Sequence, residues 1–431
     1  MPDYTHGFII DEDKCNGRLA CMRACPTQAI RVNDGKARLL PRLCIDCGLC
    51  LRVCPSGAIQ ATTRPIAEID RFKYKVAVPS PVLFGQFPME MSFEHIAKGL
   101  LVLGFDEVWD FAVELALVNR AILDYVEKWN GSYPLISNSC PVIVRLILVL
   151  YPGMIDHLIR VQPPRELAGR ELKRKYSAEL GISSDEIAAI YITPCQAKTI
   201  SILEPAEGAK SCLDGALGIS DVYNDILASV NSPSAVDLSK NLIRNAGILR
   251  WSTSEWQVRD LSRHRYMSVN GLPNVIKVFD DIEKGKLRNI EYLECYACRG
   301  GCIGGNLTVD NRYVTRSKID RLLAELPESD PRLEAEVEKR FPNEDFSLAR
   351  RIRSRASEDR TGDLKERVRI IEAEERILEA LPGLDCGLCG APTCKTLAKD
   401  VARGVAQQTD CIFFSEKRLE QLRKTYLHMV K

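Results

Sequence analysis

The chain has 431 residues, which at roughly 150 residues per domain suggests two to four domains. Hydrophobic residues are 45% and charged residues 27%, a globular and not a disordered composition. Lys+Arg 59 against Asp+Glu 58 leaves a net charge of +1, which excludes nucleic-acid binding driven by global charge. The unusual count is cysteine, 17 against five histidines, and an odd number cannot be wholly disulfide-paired within one chain. The N-terminus shows no basic n-region followed by an apolar h-region. The most apolar stretch, 142–150, is too short for a transmembrane segment and contains Arg145. The expectation is a cytoplasmic, reduced protein whose dense thiols serve metal binding or redox chemistry.

The first element is a cysteine block. Cys44, Cys47, Cys50 and Cys54 have the spacing C-x2-C-x2-C-x3-C and are followed by Pro55. This is the spacing of a bacterial ferredoxin cluster loop, in which three thiolates converge on one cubane and the fourth goes to a neighbouring cluster. Zinc is the competing ligand, but zinc sites usually pair two CxxC units across a longer gap. An earlier copy keeps the spacing with Cys15, Cys21 and Cys25, but Arg18 stands where a second cysteine belongs. Crossed ligation assigns Cys25, Cys44, Cys47 and Cys50 to one complete [4Fe–4S] cluster. Cys15, Cys21 and Cys54 remain for the other, which suits [3Fe–4S] or a cubane with one iron not bound by cysteine. Residues 1–62 resemble a two-cluster bacterial ferredoxin domain.

The middle of the chain alternates strand and helix patterns. Residues 75–78 form a short apolar run ending in the turn Pro79-Ser80-Pro81. Ser92–Leu103 has helical spacing at Ile96, Leu100 and Leu103, and Asp106–Phe111 alternates like a strand. Pro134–Ser137 and Ala189–Ile192 read as further strands, each ending at a cysteine turn followed by a helix. Open α/β sheets place ligands at such strand ends. Three segments there call for a joint explanation: Asn138-Ser139-Cys140-Pro141, Thr193-Pro194-Cys195-Gln196-Ala197-Lys198, and the glycine-rich run from Glu294 to Gly305 containing Cys298 and Cys302. Cys140, Cys195, Cys298 and Cys302 are expected to hold a buried [4Fe–4S] cluster, with glycines letting backbone N–H groups approach its sulfurs. Cys212 and Cys295 are expected to be structural thiols, and no histidine is expected near a cysteine motif.

From Ser317 to Glu379 the chain is highly charged, with breakers at Pro327, Pro331 and Pro342 and with Leu364, Val368, Ile371 and Leu378 at helical spacing. Residues 311–375 are expected to be a solvated helical connector. Cys386, Cys389 and Cys394 follow as CxxC then x4 to a third cysteine, and Cys411 follows after 16 intervening residues. Leu397, Val401 and Val405 mark a helix that returns the chain to a fourth cluster. Leu419, Leu422, Tyr426 and Met429 form one apolar stripe, expected to dock on its own domain.

The three central segments resemble the signature motifs of the [FeFe]-hydrogenase large subunit, in order. The resemblance covers roughly 70–310 and includes Gly104–Val108 and Tyr151-Pro152. It implies that Cys140, Cys195, Cys298 and Cys302 hold the cubane, that Cys302 bridges to a diiron site carrying CO and CN, and that Lys198 hydrogen-bonds a cyanide. The departures matter more. Ser139 replaces the proton-donating cysteine, Thr193 and Tyr296 replace methionines, Ser201 replaces a glutamate, and Asn306-Leu307-Thr308 replaces a glycine and Gln-Pro. A serine hydroxyl is a far weaker acid than a thiol. Segment 376–415 resembles the four-cysteine [4Fe–4S] domain of the Rnf-complex iron–sulfur subunit and of corrinoid iron–sulfur proteins.

The resemblances imply an α/β core of the iron-hydrogenase type (70–310), an α+β ferredoxin-like N-terminal domain (1–62), the connector (311–375) and a small α-helical Fe–S domain (376–431). The function expected is electron transfer through about four clusters, in a non-catalytic accessory subunit of an anaerobic redox complex. A hydrogenase whose catalytic candidates are Ser139, Lys198 and Glu294, with Lys198 on the cofactor, is the enzyme alternative. A sensor of H2 or redox state acting through a partner is the third. No strand–GxGxxG–helix unit or Walker A loop is present, so a flavin or NAD site is expected on a partner subunit of a hetero-oligomer, with ferredoxin as another redox partner.

Overall fold

The computed structural model describes residues 5–62, 66–206, 209–229, 246–256, 265–328, 330–352, 364–416 and 420. It divides into two compact units, Ala61–Arg353 and a smaller one made of Met1–Gln60 together with Ser354–Lys431.

The larger unit holds two parallel sheets. Four strands lie in the order Glu107–Val108, Tyr74–Pro79, Ile187–Thr193, Gly215–Gly218. Three more lie in the order Tyr266–Asn270, Tyr292–Tyr296, Leu135–Ile136. In the first, Tyr74 aligns with Ile187 and Pro79 with Ile192. Every residue of Ile187–Thr193 is buried, because helices cover both faces of the sheet. The strand period of two sorts its side chains. Ala188, Ile190 and Ile192 pack with Phe87, Ile96 and Leu100 on one face. Ala189 and Tyr191 pack with Phe111, Leu172 and Tyr176 on the other.

The sequence patterns survive with shifted ends. The expected helix runs Phe93–Val102, and Ser92 caps it by accepting the His95 N–H at 3.3 Å. The expected strand Asp106–Phe111 shrinks to Glu107–Val108. Asp110 ends it by accepting the Ala112 N–H at 3.0 Å, which starts helix Ala112–Lys128. The strand before Cys140 and the strand before Cys195 lie in different sheets.

The stretch 311–375 does not form one connector. Helices Arg312–Glu325 and Pro331–Arg340 fall within the larger unit. Ile319 is fully buried in its core, and Val337 packs against the cluster around Leu117 and Ile122. Helix Leu364–Ala380 falls in the smaller unit and crosses the boundary expected at 375, with Ile377 and Leu378 packing near Leu397 and Cys411. Val368 and Ile371 of the same expected stripe are exposed.

In the smaller unit, Phe8–Ile10 pairs with Ile59–Ala61, and Ile30–Asn33 forms an antiparallel hairpin with Lys36–Leu39. Helices Ala20–Ala24 and Leu49–Val53 carry Cys21 and Cys50 and end at Cys25 and Cys54. The repeat extends to the backbone. Leu19 and Gly48 are both left-handed N-caps, Gly17 matches Asp46 with positive φ, and Gln28 matches Gly57. The copy that lost a cysteine at Arg18 therefore kept its loop conformation. The C-terminal helix is Cys394–Ala402; Gly404 ends the turn at positive φ, so Val405 lies beyond the helix and is exposed. Leu419, Leu422, Tyr426 and Met429 lie outside the described residues.

Candidate metal centres

The strand ends build the central site. Cys140 precedes helix Pro141–Leu150 as its N-cap, and Cys195 does the same for helix Gln196–Leu203. Cys298 follows strand Tyr292–Tyr296, and Cys302 opens the turn Cys302–Gly304. The site therefore forms where the carboxyl ends of both sheets converge. The Cys140 thiol lies within electrostatic reach of Cys302 and Cys195, and receives the Ala297 and Ile143 N–H groups. Gly305 is packed so closely on the Pro194 carbonyl that a Cβ there would overlap it, which closes the third segment onto the second. Burial pushes the Cys140 thiol up to about 11, and also raises Cys195. Such sulfurs become thiolates only when a cation offsets the desolvation cost.

Lys198 is buried and donates from Nζ to Cys302 Sγ at 3.1 Å. Burial opposes its charge, but the fields of Cys302, Tyr191 and Cys195 outweigh it and hold the ammonium. Arg165 adds a second buried cation that acts on Cys195. Its guanidinium donates to Ser201 Oγ at 3.0 Å, and its Nε lies 3.8 Å from Glu166 Oε1. Ser139, Lys198, Tyr296, Arg165 and Cys302 border one narrow cavity of about 40 Å3. That space suits two or three water molecules. The Tyr296 hydroxyl, one wall of it, donates to Glu294 Oε1 at 2.9 Å, and Glu294 is fully buried. The three catalytic candidates thus lie around this cavity or behind its wall.

In the smaller unit the cysteines of the two repeat halves lie close together, with Cys50 within electrostatic reach of both Cys25 and Cys21. The Cys21 thiol is raised by burial and feels Cys15 and Cys54. Cys47 and Cys50 both feel Cys25, and Cys44 feels Cys47 and Cys50. Burial pushes Cys50 to about 12 and raises Cys44 and Cys47 further. Backbone N–H groups approach the sulfurs: Ala29 to Cys25 at 3.2 Å, Ala37 to Cys15 at 3.3 Å, Asp46 to Cys44 at 3.4 Å. Exposed Arg18 borders a small cavity with Cys15, Cys21 and Cys54.

The C-terminal cysteines also gather. Cys389, Cys394 and Cys411 share one apolar cluster, and Cys389 feels Cys411 and Cys386. The Cys394 N–H donates to Asp385 Oδ1 at 2.6 Å. Among the described residues, no three cysteine sulfurs fall within 4.8 Å of one another. Tetrahedral zinc would draw its sulfurs to about 3.8 Å, from Zn–S bonds near 2.3 Å. The cysteine sets are more open than that and fit a cubane better.

One placement departs from the sequence reading, and another lies outside it. His6 lies against the complete cysteine set, its Nδ1 3.3 Å from Asp46 Oδ2, and Asp46 Oδ1 accepts the Gly7 N–H at 3.0 Å. Ligand atoms of His6, Cys44 and Asp46 lie within 4.8 Å of one another. The contact spans 40 residues, so no local spacing revealed it. Glu114 is the other. It is buried, pairs with Arg340 at 2.8 Å, and accepts from Trp109 Nε1 at 3.2 Å. Cys295 is buried within a strand and Cys212 is half-buried, its N–H donating to Glu166 Oε2 at 2.9 Å.

The family model for the iron-only hydrogenase large subunit, C-terminal domain, matches residues 73–226 and 228–306, more than half of the chain. A 4Fe-4S dicluster domain matches 8–55 and an Fe–S cluster domain matches 381–413. The NADP-reducing hydrogenase subunit HndD of Solidesulfovibrio fructosivorans is 27% identical over 237 residues, 47% of this chain and 40% of that protein. A probable cytosolic Fe–S cluster assembly factor of Culex quinquefasciatus is 22% identical over 313 residues, 58% of this chain and 64% of that one. The chain thus spans less than two thirds of these curated relatives. A variant of the [FeFe]-hydrogenase of Chlamydomonas reinhardtii shares the fold with a TM-score of 0.50 at 15% identity, covering 68% of this chain and 96% of that one. No helix among the described residues is long and apolar enough to cross a membrane.

Proposed function

The chain belongs to the iron-only hydrogenase large-subunit family, and from that premise we propose that it is an electron-transfer protein, a non-catalytic accessory subunit of an anaerobic redox complex. The observation that carries the reading is the cavity beside Cys302. Its lining includes Ser139, Arg165, Lys198 and Tyr296, and Cys302 supplies the only thiol among the described residues that border it. Tyr296 walls it, and the bond to buried Glu294 fixes the ring there. Ser139 stands at the proton-donor position with no thiol to offer. Family membership does not itself imply H2 chemistry, since relatives named as Fe–S assembly factors match a comparable span.

Clusters at the cysteine sets would supply single-electron storage and transfer. The ligands proposed are Cys140, Cys195, Cys298 and Cys302 at the centre, Cys25, Cys44, Cys47 and Cys50 in the complete ferredoxin-type set, Cys15, Cys21 and Cys54 in the incomplete one, and Cys386, Cys389, Cys394 and Cys411 in the C-terminal one. The chain's own contribution is to exclude water from buried thiols, aim N–H groups at sulfur, and place two cations at the central set. Cations stabilise the more negative, reduced cluster. Flavin- or NAD-binding subunits and ferredoxins are the proposed partners, in a hetero-oligomer in the cytoplasm.

Retention of Lys198 at the cavity favours a second reading, a weak hydrogenase with a diiron unit bridged by Cys302. Infrared spectroscopy of protein matured with the diiron assembly machinery separates the two. The accessory reading expects no CO or CN stretches together with a full complement of cubane iron. Those stretches accompanied by fast H2 evolution would overturn it.

A further inference from the structure

Residues at opposite ends of the chain meet in the smaller unit. Arg31, on the hairpin strand Ile30–Asn33, is buried and grips Asp400 of helix Cys394–Ala402 with two hydrogen bonds, Nε to Oδ2 at 2.5 Å and a terminal nitrogen to Oδ1 at 3.1 Å. Its remaining nitrogen donates to the Gln28 carbonyl at 2.6 Å, so the guanidinium is held from both sides. A bidentate, buried pair of this kind fixes orientation as well as distance. The Val32 N–H donates to the Gly390 carbonyl at 3.0 Å, and Thr396 Oγ1 to Gln28 Oε1 at 2.6 Å.

The glycines of the C-terminal cysteine loop show how close the approach is. A Cβ on Gly390 would overlap the Val32 carbonyl and the Asn33 side chain, and Gly390 also has a φ of +81°. A Cβ on Gly387 would come within 2.9 Å of Met22. Arg23 donates to the Cys386 carbonyl at 3.1 Å. Met22 and Arg23 belong to helix Ala20–Ala24, which carries Cys21 of the three-cysteine set. Val32 and Leu19 line the cavity at that set. The loop between Cys386 and Cys394 is therefore seated on residues that border the incomplete set, Val32 and the helix carrying Cys21, although the same helix ends at Cys25 of the complete set.

The geometry points to Arg31 and Asp400 as positioning residues that seat the C-terminal cysteine set directly on the three-cysteine set, so that electrons pass between those two clusters. This rests on the electron-transfer reading above. One electron moves from a reduced cluster to an oxidised one with no bond made or broken, supplied by one low-potential one-electron carrier and removed by another. The ferredoxin-type and C-terminal sets then form a single relay, although more than 300 residues separate them in sequence.

The test uses the full chain, reconstituted anaerobically with iron and sulfide and reduced in steps with dithionite. Electron paramagnetic resonance should show the signals of the two clusters broadened by each other. Asp400→Arg should abolish that broadening while the iron content stays unchanged, and Asp400→Asn, which keeps the shape and one hydrogen bond, should retain it. Cys394→Ser removes the C-terminal cluster without touching the clamp and should sharpen the signal of the three-cysteine set. Unbroadened wild-type signals, full broadening in Asp400→Arg, or no sharpening in Cys394→Ser would each overturn the proposal. A chain that takes up no cubane iron would overturn the electron-transfer reading as well, whereas full iron with independent signals overturns only the relay.

Discussion

Lys198 is the residue whose role the tertiary structure sharpens most. The family resemblance gives it a cyanide partner; here its ammonium sits 3.1 Å from Cys302 Sγ, beside a second buried cation at Arg165. A positive charge near a cluster favours the reduced state, so removing it makes reduction harder. Lys198→Met should lower the potential of the central cluster by on the order of 100 mV, from a charge coupling of a few kcal/mol. A redox titration followed by electron paramagnetic resonance checks this, and an unchanged or raised potential would contradict it. Arg18 allows a second test at the same scale. It borders the cavity with Cys15, Cys21 and Cys54, and its loop keeps the backbone of the intact copy. Arg18→Cys should therefore convert a [3Fe–4S]-type signal into a [4Fe–4S] one and add iron. No spectral change would refute the crossed assignment.

At the scale of elements, the charged helices after residue 311 behave unlike their composition. Helix Pro331–Arg340 is docked on helix Ala112–Lys128 through Arg340 and Glu114; its Leu333 is buried, and Val337 packs partly buried against the cluster around Leu117 and Ile122. Burial raises the Glu114 carboxyl above its usual range, against the opposing pull of Arg340, so losing that partner leaves a costly group behind. Arg340→Met should destabilise the larger unit by about 3–5 kcal/mol, and adding Glu114→Leu should restore most of it, because the apolar pair carries no desolvation cost. Urea denaturation followed by tryptophan fluorescence would read both. A single variant as stable as the wild type would mean the pair is not structurally important.

At the scale of the whole molecule, the two units rest on different sources of stability. The larger has extensive aliphatic and aromatic cores on both sides of its four-stranded sheet. In the smaller, cysteines form part of both apolar clusters, with Cys44 and Cys50 in one and Cys394 and Cys411 in the other. Thiols raised by burial need the cluster's positive iron to pack as thiolates. Removing iron should therefore expose amides in 5–60 and 364–416 to hydrogen exchange while strands Tyr74–Pro79 and Ile187–Thr193 stay protected. Uniform protection after iron loss would show that the cysteine sites contribute little to folding.

Local chemistry was legible in the sequence because spacing is local. The C-x2-C-x2-C-x3-C run, the lost ligand at Arg18, the Pro-Cys turns and the glycine-rich third segment each announce their geometry within a dozen residues. Strand and helix periods placed most central elements, with ends shifted where a cap such as Asp110 decided the matter. The family core followed from the order of three motifs. What the sequence did not contain were contacts between distant segments. That Cys140 and Cys195 leave two different sheets and still converge depends on how those sheets pack. The placement of His6 on Asp46, the burial of Glu114 under Arg340, and the closing of Tyr296 onto Glu294 are likewise decided by packing. The seating of the last cysteine set on the first is set by Arg31 and Asp400, 369 residues apart, and no local period encodes such a distance.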